Sequence, residues 1–256
     1  MTPLAGRGAL VTGVSRRAGI GFAIAARLQE LGADIVVQGF DPHDAGQPWG
    51  ADPAGTQGLA AELGVPAIAS DFRDPEAPAA CVTEATAALG HLDILIANHA
   101  MSCDQDLEAL TAEAIDATLA VNVRATLLLV QAYAGAHDDA QPGGRVVMFT
   151  SGQHLEPMTR ELPYAASKAA IHGLTASLAA ELAPRGILVN TVNPGPTDTG
   201  WATPELTQFE LRRLPLGRWG EPEDAARLVS WLAGDDAAWV TGQVITSDGG
   251  FSQSRG

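Results

Sequence analysis

Lysine is almost missing from this chain: fourteen arginines stand beside one lysine, Lys168. Cationic side chains are scarce altogether, 15 Lys and Arg against 30 Asp and Glu, for a formal charge of -15. That balance excludes a basic face for nucleic acid or an anionic bilayer. Only two cysteines occur, Cys81 and Cys103, which rules out a disulfide framework, and free thiols fit a cytoplasmic protein. No apolar run approaches the roughly 18 residues of a membrane span, and the start, MTPLAGRGALVTG, has neither the basic opening nor the apolar stretch of a secretory signal. The six histidines show no metal-ligand spacing, so no metal centre is expected. At 256 residues one domain spanning 1–256 is the expectation.

Against that scarcity, the position of the lysine is informative. It follows Tyr164, one of two tyrosines, by four residues in YAASKAAIHGLTASLAAEL. Random placement would give this spacing about one time in a hundred. Ile171, Leu174, Leu178 and Leu182 recur at helical steps, and on a helix residues four apart share a face, which sets the ammonium beside the phenol. In a chain that otherwise uses arginine, the one cation kept as lysine is the one whose proton can be shared. Ser151 closes an apolar run, Arg145 to Thr150, that reads as a buried strand. A hydroxyl, a phenol and an ammonium would then meet at a strand's C-terminal end, where open α/β sheets bind ligands.

Other segments alternate strand and helix throughout. Gly8 to Thr12 reads as a strand, followed by a glycine loop from Gly13 through Val14, Ser15, Arg16, Arg17, Ala18, Gly19 and Ile20 to Gly21, then a helix ending near Gly32. Strand, glycine turn and helix N-terminus together make a phosphate-site hypothesis: the backbone can approach a pyrophosphate, and free N–H groups with the helix dipole favour the anion. Asp34 to Gln38, Val65 to Ser70, Leu92 to Ala97, Ile187 to Asn193 and Gln243 to Ser247 are further strands. Asp41 to Gly55, with Pro42, Pro48 and Pro53, reads as a long loop in which Trp49 is an anchor. Asp74-Pro75-Glu76 and Glu221-Pro222-Glu223-Asp224 read as capped helix starts. A helix from Thr111 to Tyr133 carries Asn122 in its interior, a poor helix former there, which points to a specific bond. The alternation argues for a doubly wound, Rossmann-type α/β fold: one parallel sheet of about seven strands with helices on both faces.

On Ser151, Tyr164-x-x-x-Lys168, the glycine loop and the alternation, the chain resembles the short-chain dehydrogenase/reductase family from end to end. The resemblance implies an oxidoreductase that binds NAD(P)(H) and interconverts a ketone and a secondary alcohol. It assigns catalysis to Asn122, Ser151, Tyr164 and Lys168, with Asn122 holding a water that links Lys168 to solvent. It assigns the dinucleotide to Gly13, Ser15, Arg16 or Arg17, Gly19, Ile20 and Gly21, with Asp71-Phe72 at the adenine. Asn98 and Ala100 would lie at the ribose, Pro194, Gly195 and Thr197 at the nicotinamide, and Thr199 at phosphate, beside Tyr164 and Lys168. The glycine loop has five residues between its first glycine and Gly19-Ile20-Gly21 where the family has three, and Asn98-His99-Ala100-Met101 departs from Asn-Asn-Ala-Gly. His99 reads as a packed structural histidine.

NAD-using members carry an acid where this chain has Gly39; its absence, with two arginines in the glycine loop, favours NADP(H), while Asp41 keeps NAD(H) open. An adjacent ammonium, together with a cationic nicotinamide in the oxidised state, should lower the phenol's pKa. Gln153, His154, Leu155, Glu156, Met158, Met101 and Trp201 are candidates for the substrate wall, and 198–217 for a lid over it. The substrate would be a small ketone or alcohol. An alternative is a 3-oxoacyl-(carrier protein) reductase docking on Arg160, Arg212, Arg213 and Arg218. A second is a dinucleotide-binding sensor or scaffold without catalysis. The family is commonly a homotetramer or homodimer.

Overall fold

The computed structural model describes residues 3–141 and 143–253; residues 1, 2, 142 and 254–256 of the expected 1–256 unit lie outside the described residues. Seven strands form one sheet: β1 (Gly8–Thr12), β2 (Asp34–Gly39), β3 (Ala67–Ala69), β4 (Ile94–Ala97), β5 (Gly144–Phe149), β6 (Ile187–Asn193) and β7 (Val244–Thr246), in the order β3-β2-β1-β4-β5-β6-β7. Every pairing is parallel. Successive strands are added on one side of β1 and then, from β4, on the other, and this switch opens a crevice at the C-terminal ends of β1 and β4, the place such sheets bind ligands.

Strand residues alternate between two apolar layers, as a period of two requires. Val11, Val37, Ile96 and Val147 pack in one cluster with Ile24 and Leu28 of α1 (Ile20–Glu30) and Val229 and Leu232 of α9 (Pro222–Ala233). Leu10, Val36, Leu95, Val146 and Met148 pack in the other, against α4 (Ala77–Leu89), α6 (Ala125–Ala136) and α7 (Leu162–Leu182). With both faces covered, the central strands carry runs of consecutive apolar residues, such as Ala9–Val11, Ile35–Val37 and Val146–Phe149. Between these helices lie α2 (Asp41–Ala45), α3 (Gly55–Leu63), α5 (Ala112–Leu119) and α8 (Pro204–Leu211).

Four expectations need correction. The 41–55 segment is not wholly loop: α2 opens it, with Pro42 in the first turn. Trp49 is an anchor, its indole N–H donating to Asp44 Oδ1 at 3.0 Å. Helix α4 does not begin at Asp74, whose carboxylate accepts the Glu76 N–H at 3.0 Å and closes a turn ahead of the helix. The long helix around Asn122 is two helices, α5 and α6, joined by a π-helical segment, Ala120–Arg124. Helix α7 buries Ser167, Lys168, Thr175 and Ala179 along with Ile171 and Leu182, while Leu174 is only half-buried. Its stripe is narrow because small and polar residues, not leucines, make the approach to the sheet. The α9 start is as expected, Asp224 accepting the Glu221 N–H at 2.9 Å.

Gly39 shows how tightly the β2 end is packed. A Cβ there would run into Thr56 of α3 and come within 2.9 Å of the Val14 carbonyl. Gly39→Ala is therefore expected to cost about 1–3 kcal/mol by overpacking, read as a lower urea midpoint; an unchanged midpoint would show that α3 yields freely.

Candidate active site

Helix α7 is pinned to the strand ends by three side chains. Lys168, 4% exposed, sends its ammonium back to the Phe149 carbonyl at 3.0 Å. In return the Thr150 hydroxyl donates to the Lys168 carbonyl at 2.8 Å. Two turns on, the Thr175 and Thr191 hydroxyls meet at 2.7 Å, fastening α7 to β6. Tyr164 sits one turn before Lys168, whose Nζ lies 5.5 Å from the ring centroid. The Tyr164 ring faces a cavity of about 780 Å³ that runs along the C-terminal edge of the sheet.

Asn122 explains the π segment. A residue inserted into a helix at a functional site is a recurrent use of π geometry, and here it brings an amide against two elements. Its Oδ1 accepts the Met101 N–H at 2.6 Å, and its Nδ2 donates to the Met101 carbonyl at 2.8 Å and to Ser167 Oγ at 2.9 Å. The Asn122 carbonyl accepts from Thr126 Oγ1 at 2.8 Å. The side chain thus clamps the loop after β4 to α7, directly beneath the Tyr164–Lys168 turn. It does not line the cavity, and its side chain joins the loop after β4 to α7 one residue before Lys168.

Of the expected site residues, Gly13, Ser15, Arg16, Gly19, Ile20, Asp71, Phe72, Asn98, Ala100, Ser151, Tyr164, Pro194, Gly195, Thr197 and Thr199 all line the one cavity. Gly21 and Lys168 stand behind its wall. Gly13 has φ 75°, and a Cβ on it would come within 2.8 Å of His99 Cα, so this turn requires glycine. A Cβ on Gly21 would press on Asn98 Nδ2 at 2.8 Å and on the Gly13 carbonyl. Asn98 Nδ2 in turn donates to the Thr12 carbonyl at 3.1 Å. The glycine loop is thereby drawn close to the β4 end, so that its glycine backbone can approach a ligand in the crevice.

The five-residue loop separates its two arginines. Arg16 stays at the cavity: it pairs with Asp44 at 3.3 Å, donates to the Thr199 carbonyl at 3.0 Å across the crevice, and lies 5.3 Å from the Trp49 ring centroid. Arg17 turns away to an exposed pairing with Glu62 and does not line the cavity, so of the two arginines Arg16 is the one at the cavity. Asp41 is also taken, accepting from Thr56 N at 2.9 Å and Thr56 Oγ1 at 2.7 Å. Asp71 forms a two-point pair with Arg73, and that hydrogen-bonded guanidinium holds its carboxyl below the usual range.

His99 is a packed, neutral side chain. Nδ1 lies 2.8 Å from Thr12 Oγ1 and Nε2 3.0 Å from the Val121 carbonyl, so Nε2 carries the proton. Burial, with Lys168 nearby, pushes its pKa down to about 3. For Tyr164 the structure reverses the expected direction. Burial, with the Glu161 carboxylate adding, raises the phenol to about 12, opposed by the hydrogen bond from Ser151. Burial lowers Lys168 to about 8. The ammonium lies under the ring and bonds to a carbonyl instead of to the phenolic oxygen, so its field is spent elsewhere.

Of the candidates for a substrate wall, Met101, Leu155, Glu156, Met158 and Trp201 line the cavity. Gln153 and His154 do not reach it. Gln153 Oε1 accepts the Ser151 N–H at 3.2 Å, and His154 stacks edge-on to His172 with centroids 4.7 Å apart. Sequence reasoning missed Ser102, Glu161, Trp219 and Phe251 on this wall, and Gln38, Phe40, His43, Asp44 and Trp49 at the opposite end. Glu161 was findable, an acidic residue at the start of the helix that carries Tyr164 three residues on; Trp219 and Phe251 arrive from distant loops and carry no local signal. Among the described residues no group of acidic, histidine or cysteine side chains could hold a metal, and no helix is long and apolar enough to cross a membrane.

A family model described as enoyl-(acyl carrier protein) reductase matches residues 13–252. An uncharacterized oxidoreductase of Bacillus subtilis, YjdA, is 41% identical over 95% of this chain and 96% of its own. Cyclohexanol dehydrogenase of a Rhodococcus species is 34% identical, with 98% of each chain covered. A short-chain dehydrogenase of Burkholderia cenocepacia, solved in complex with NADP, superposes with a TM-score of 0.83 at 38% identity, covering 97% of this chain and 99% of that one. The chain therefore belongs to the short-chain dehydrogenase/reductase family. That is a family of oxidoreductases that bind a nicotinamide dinucleotide.

A lysine whose folded pKa lies below its unfolded value, about 10.4, costs stability wherever the unfolded chain keeps the proton more readily. That cost is full below pH 8 and vanishes above the unfolded value. Lys168→Met should therefore gain stability relative to wild type at pH 7, and the gain should shrink as pH rises from 8 to 10. Urea titrations at stepped pH read this; a difference that does not change with pH would refute the buried ammonium.

Proposed function

We propose that the protein interconverts a small ketone and a secondary alcohol with NADP(H), Tyr164 transferring the proton. The observation that carries this reading is that Tyr164 and Ser151 line the same cavity as the glycine loop. The nicotinamide supplies or accepts the hydride when the dinucleotide is bound. Backbone at Gly13, Gly19 and Ile20, with the α1 N-terminus behind it, fits the pyrophosphate, and Gly21 lets that helix approach. Asp71 and Phe72 fit the adenine, Asn98 and Ala100 the ribose, and Pro194, Gly195, Thr197 and Thr199 the carboxamide and phosphate end.

Charge that builds on a carbonyl oxygen needs a donor in place. Ser151 would orient that oxygen and Tyr164 give it a proton. A phenol held near 12 keeps its proton at neutral pH, which suits the acid in reduction. Oxidation of the alcohol needs the phenolate and should therefore gain as pH rises. Lys168 and Asn122 fix the ring from below. The segment 198–217 serves as a lid, its Trp201 indole donating to the Thr197 carbonyl at 3.2 Å and stacking edge-on to Trp219.

NADP(H) over NAD(H) is favoured by three observations. Gly39 has no room for a side chain, Asp41 is occupied with α3, and Arg16 stands at the cavity. A family neighbour holds NADP. The carrier-protein alternative is disfavoured because Arg160, Arg213 and Arg218 are paired with Asp104, Glu156 and Asp224, leaving little free positive charge for an acidic partner. The sensor alternative is disfavoured because the catalytic positions are all filled. We place the protein in the cytoplasm, as a homodimer or homotetramer.

Tyr164→Phe is expected to lower turnover of a ketone panel by about 10²–10⁴-fold while dinucleotide binding, read by nucleotide fluorescence, survives; wild-type turnover would eliminate Tyr164 as the proton donor. Arg16→Ala should cut the ratio of kcat/KM for NADPH over NADH about tenfold or more, as loss of a charge-assisted bond to a phosphate would. An unchanged ratio would remove Arg16 from cofactor selection.

A further inference from the structure

The charges around the cavity are nearly all matched within the protein. Asp44 holds Arg16, Asp71 holds Arg73, and Glu156 holds Arg213. Glu161 differs. It lines the cavity three residues before Tyr164, and among the described residues no Arg, His or Lys forms an ion pair with it. Its one side-chain bond is from the Ser102 hydroxyl, to Oε1 at 2.6 Å. Ser102 also lines the cavity. The carboxylate is close enough to the phenol to raise its pKa.

The position is also rigid. Gln105 and Glu161 form an isolated parallel bridge: the Gln105 N–H donates to the Arg160 carbonyl at 2.6 Å, and the Leu162 N–H donates to the Gln105 carbonyl at 3.2 Å. Asp104 and Arg160 pair at 2.7 Å on the outside of the same bridge. The loop after β4 and the start of α7 thus hold the Glu161 backbone from both sides, and the Ser102 hydroxyl holds the carboxylate toward the cavity. A half-buried, fixed anion with one neutral donor has unfilled acceptor capacity, and its neighbours Met101, Met158 and Trp201 on the wall offer no positive charge.

We propose that Glu161 selects a substrate bearing a protonated amine near its carbonyl, an amino ketone or the matching amino alcohol, and rejects carboxylate-bearing ketones. This deepens the ketone–alcohol reading and rests on it. An ammonium on the substrate would take the open lone pairs of Glu161, a charge-assisted bond stronger than a neutral one. It would also offset the repulsion between that carboxylate and the oxyanion forming at the reacting carbon. A substrate carboxylate would face the same anion unscreened.

The test is a set of three methyl ketones of matched size, whose far ends carry a dimethylammonium, an isopropyl or a carboxylate group. In wild type, kcat/KM with NADPH should fall in that order, the cation exceeding the neutral ketone about tenfold or more, equivalent to about 1.4 kcal/mol. In Glu161→Gln, which keeps an acceptor for Ser102, the ratio of cation to neutral ketone should fall to about one. Taking the ratio cancels any common effect on Tyr164. Equal rates for all three in wild type, or a ratio unchanged in Glu161→Gln, would overturn the inference and leave the oxidoreductase reading standing. Should none of the three turn over, equilibrium binding followed by Trp201 and Trp219 fluorescence decides separately. Tighter cation binding that Glu161→Gln abolishes would uphold the inference and sink the catalytic reading, and binding indifferent to charge would sink the inference as well.

Discussion

Two bonds between the end of β5 and α7 hold the site together: Lys168 Nζ to the Phe149 carbonyl, and the Thr150 hydroxyl to the Lys168 carbonyl. Neither bond is strong in net terms. Leaving the buried ammonium without its acceptor would, however, incur the desolvation cost of a charge. The pair therefore fixes the rotation of α7 about its own axis, and with it the direction in which Tyr164 points. The Asn122 clamp and the Thr175–Thr191 contact set the helix's two flanks. Once α7 is fixed, Ser151, one residue past Thr150, has no freedom to leave the phenol.

Electrostatically the site is poised by burial more than by attraction. An ammonium lying under a ring does less for the phenolic oxygen than one beside it, and its bond to a carbonyl directs its field away. Glu161 presses in the opposite sense from the cavity side. The result is a phenol that keeps its proton, next to a lysine that gives its own up more easily than an exposed one would. The cavity's acidic character matches the chain's overall charge: Asp44, Asp71 and Glu156 hold arginines and Asp248 accepts from the Gly250 and Ser252 N–H groups, whereas Glu161 beside Tyr164 has a single hydroxyl donor.

Much of this was legible in the sequence. Strand and helix alternation gave the layered sheet because a parallel sheet buried on both faces writes continuous apolar runs. The single lysine four residues after a tyrosine marked the site because both residues are rare here. Asn122 announced itself as a misfit in a helix. What it does was not legible, since its partners Met101 and Ser167 come from other elements and π geometry has no local sequence signature. The sorting of Arg16 from Arg17 was equally hidden: both lie in one loop, and only Asp44 on one side and Glu62 on the other separate them. The direction of the Tyr164 shift was misjudged because spacing on a helix says which groups are near and not which atom a cation faces.

Because the chain has one lysine, lysine labelled with nitrogen-15 gives one side-chain resonance, and its titration tests the central claim directly. A midpoint near pH 8 in the cofactor-free protein is the predicted result, with the signal moving to an ordinary lysine value on urea denaturation. A folded-state midpoint near 10.4, the value for a solvated ammonium, would contradict the buried Lys168–Phe149 bond on which the arrangement of the site depends.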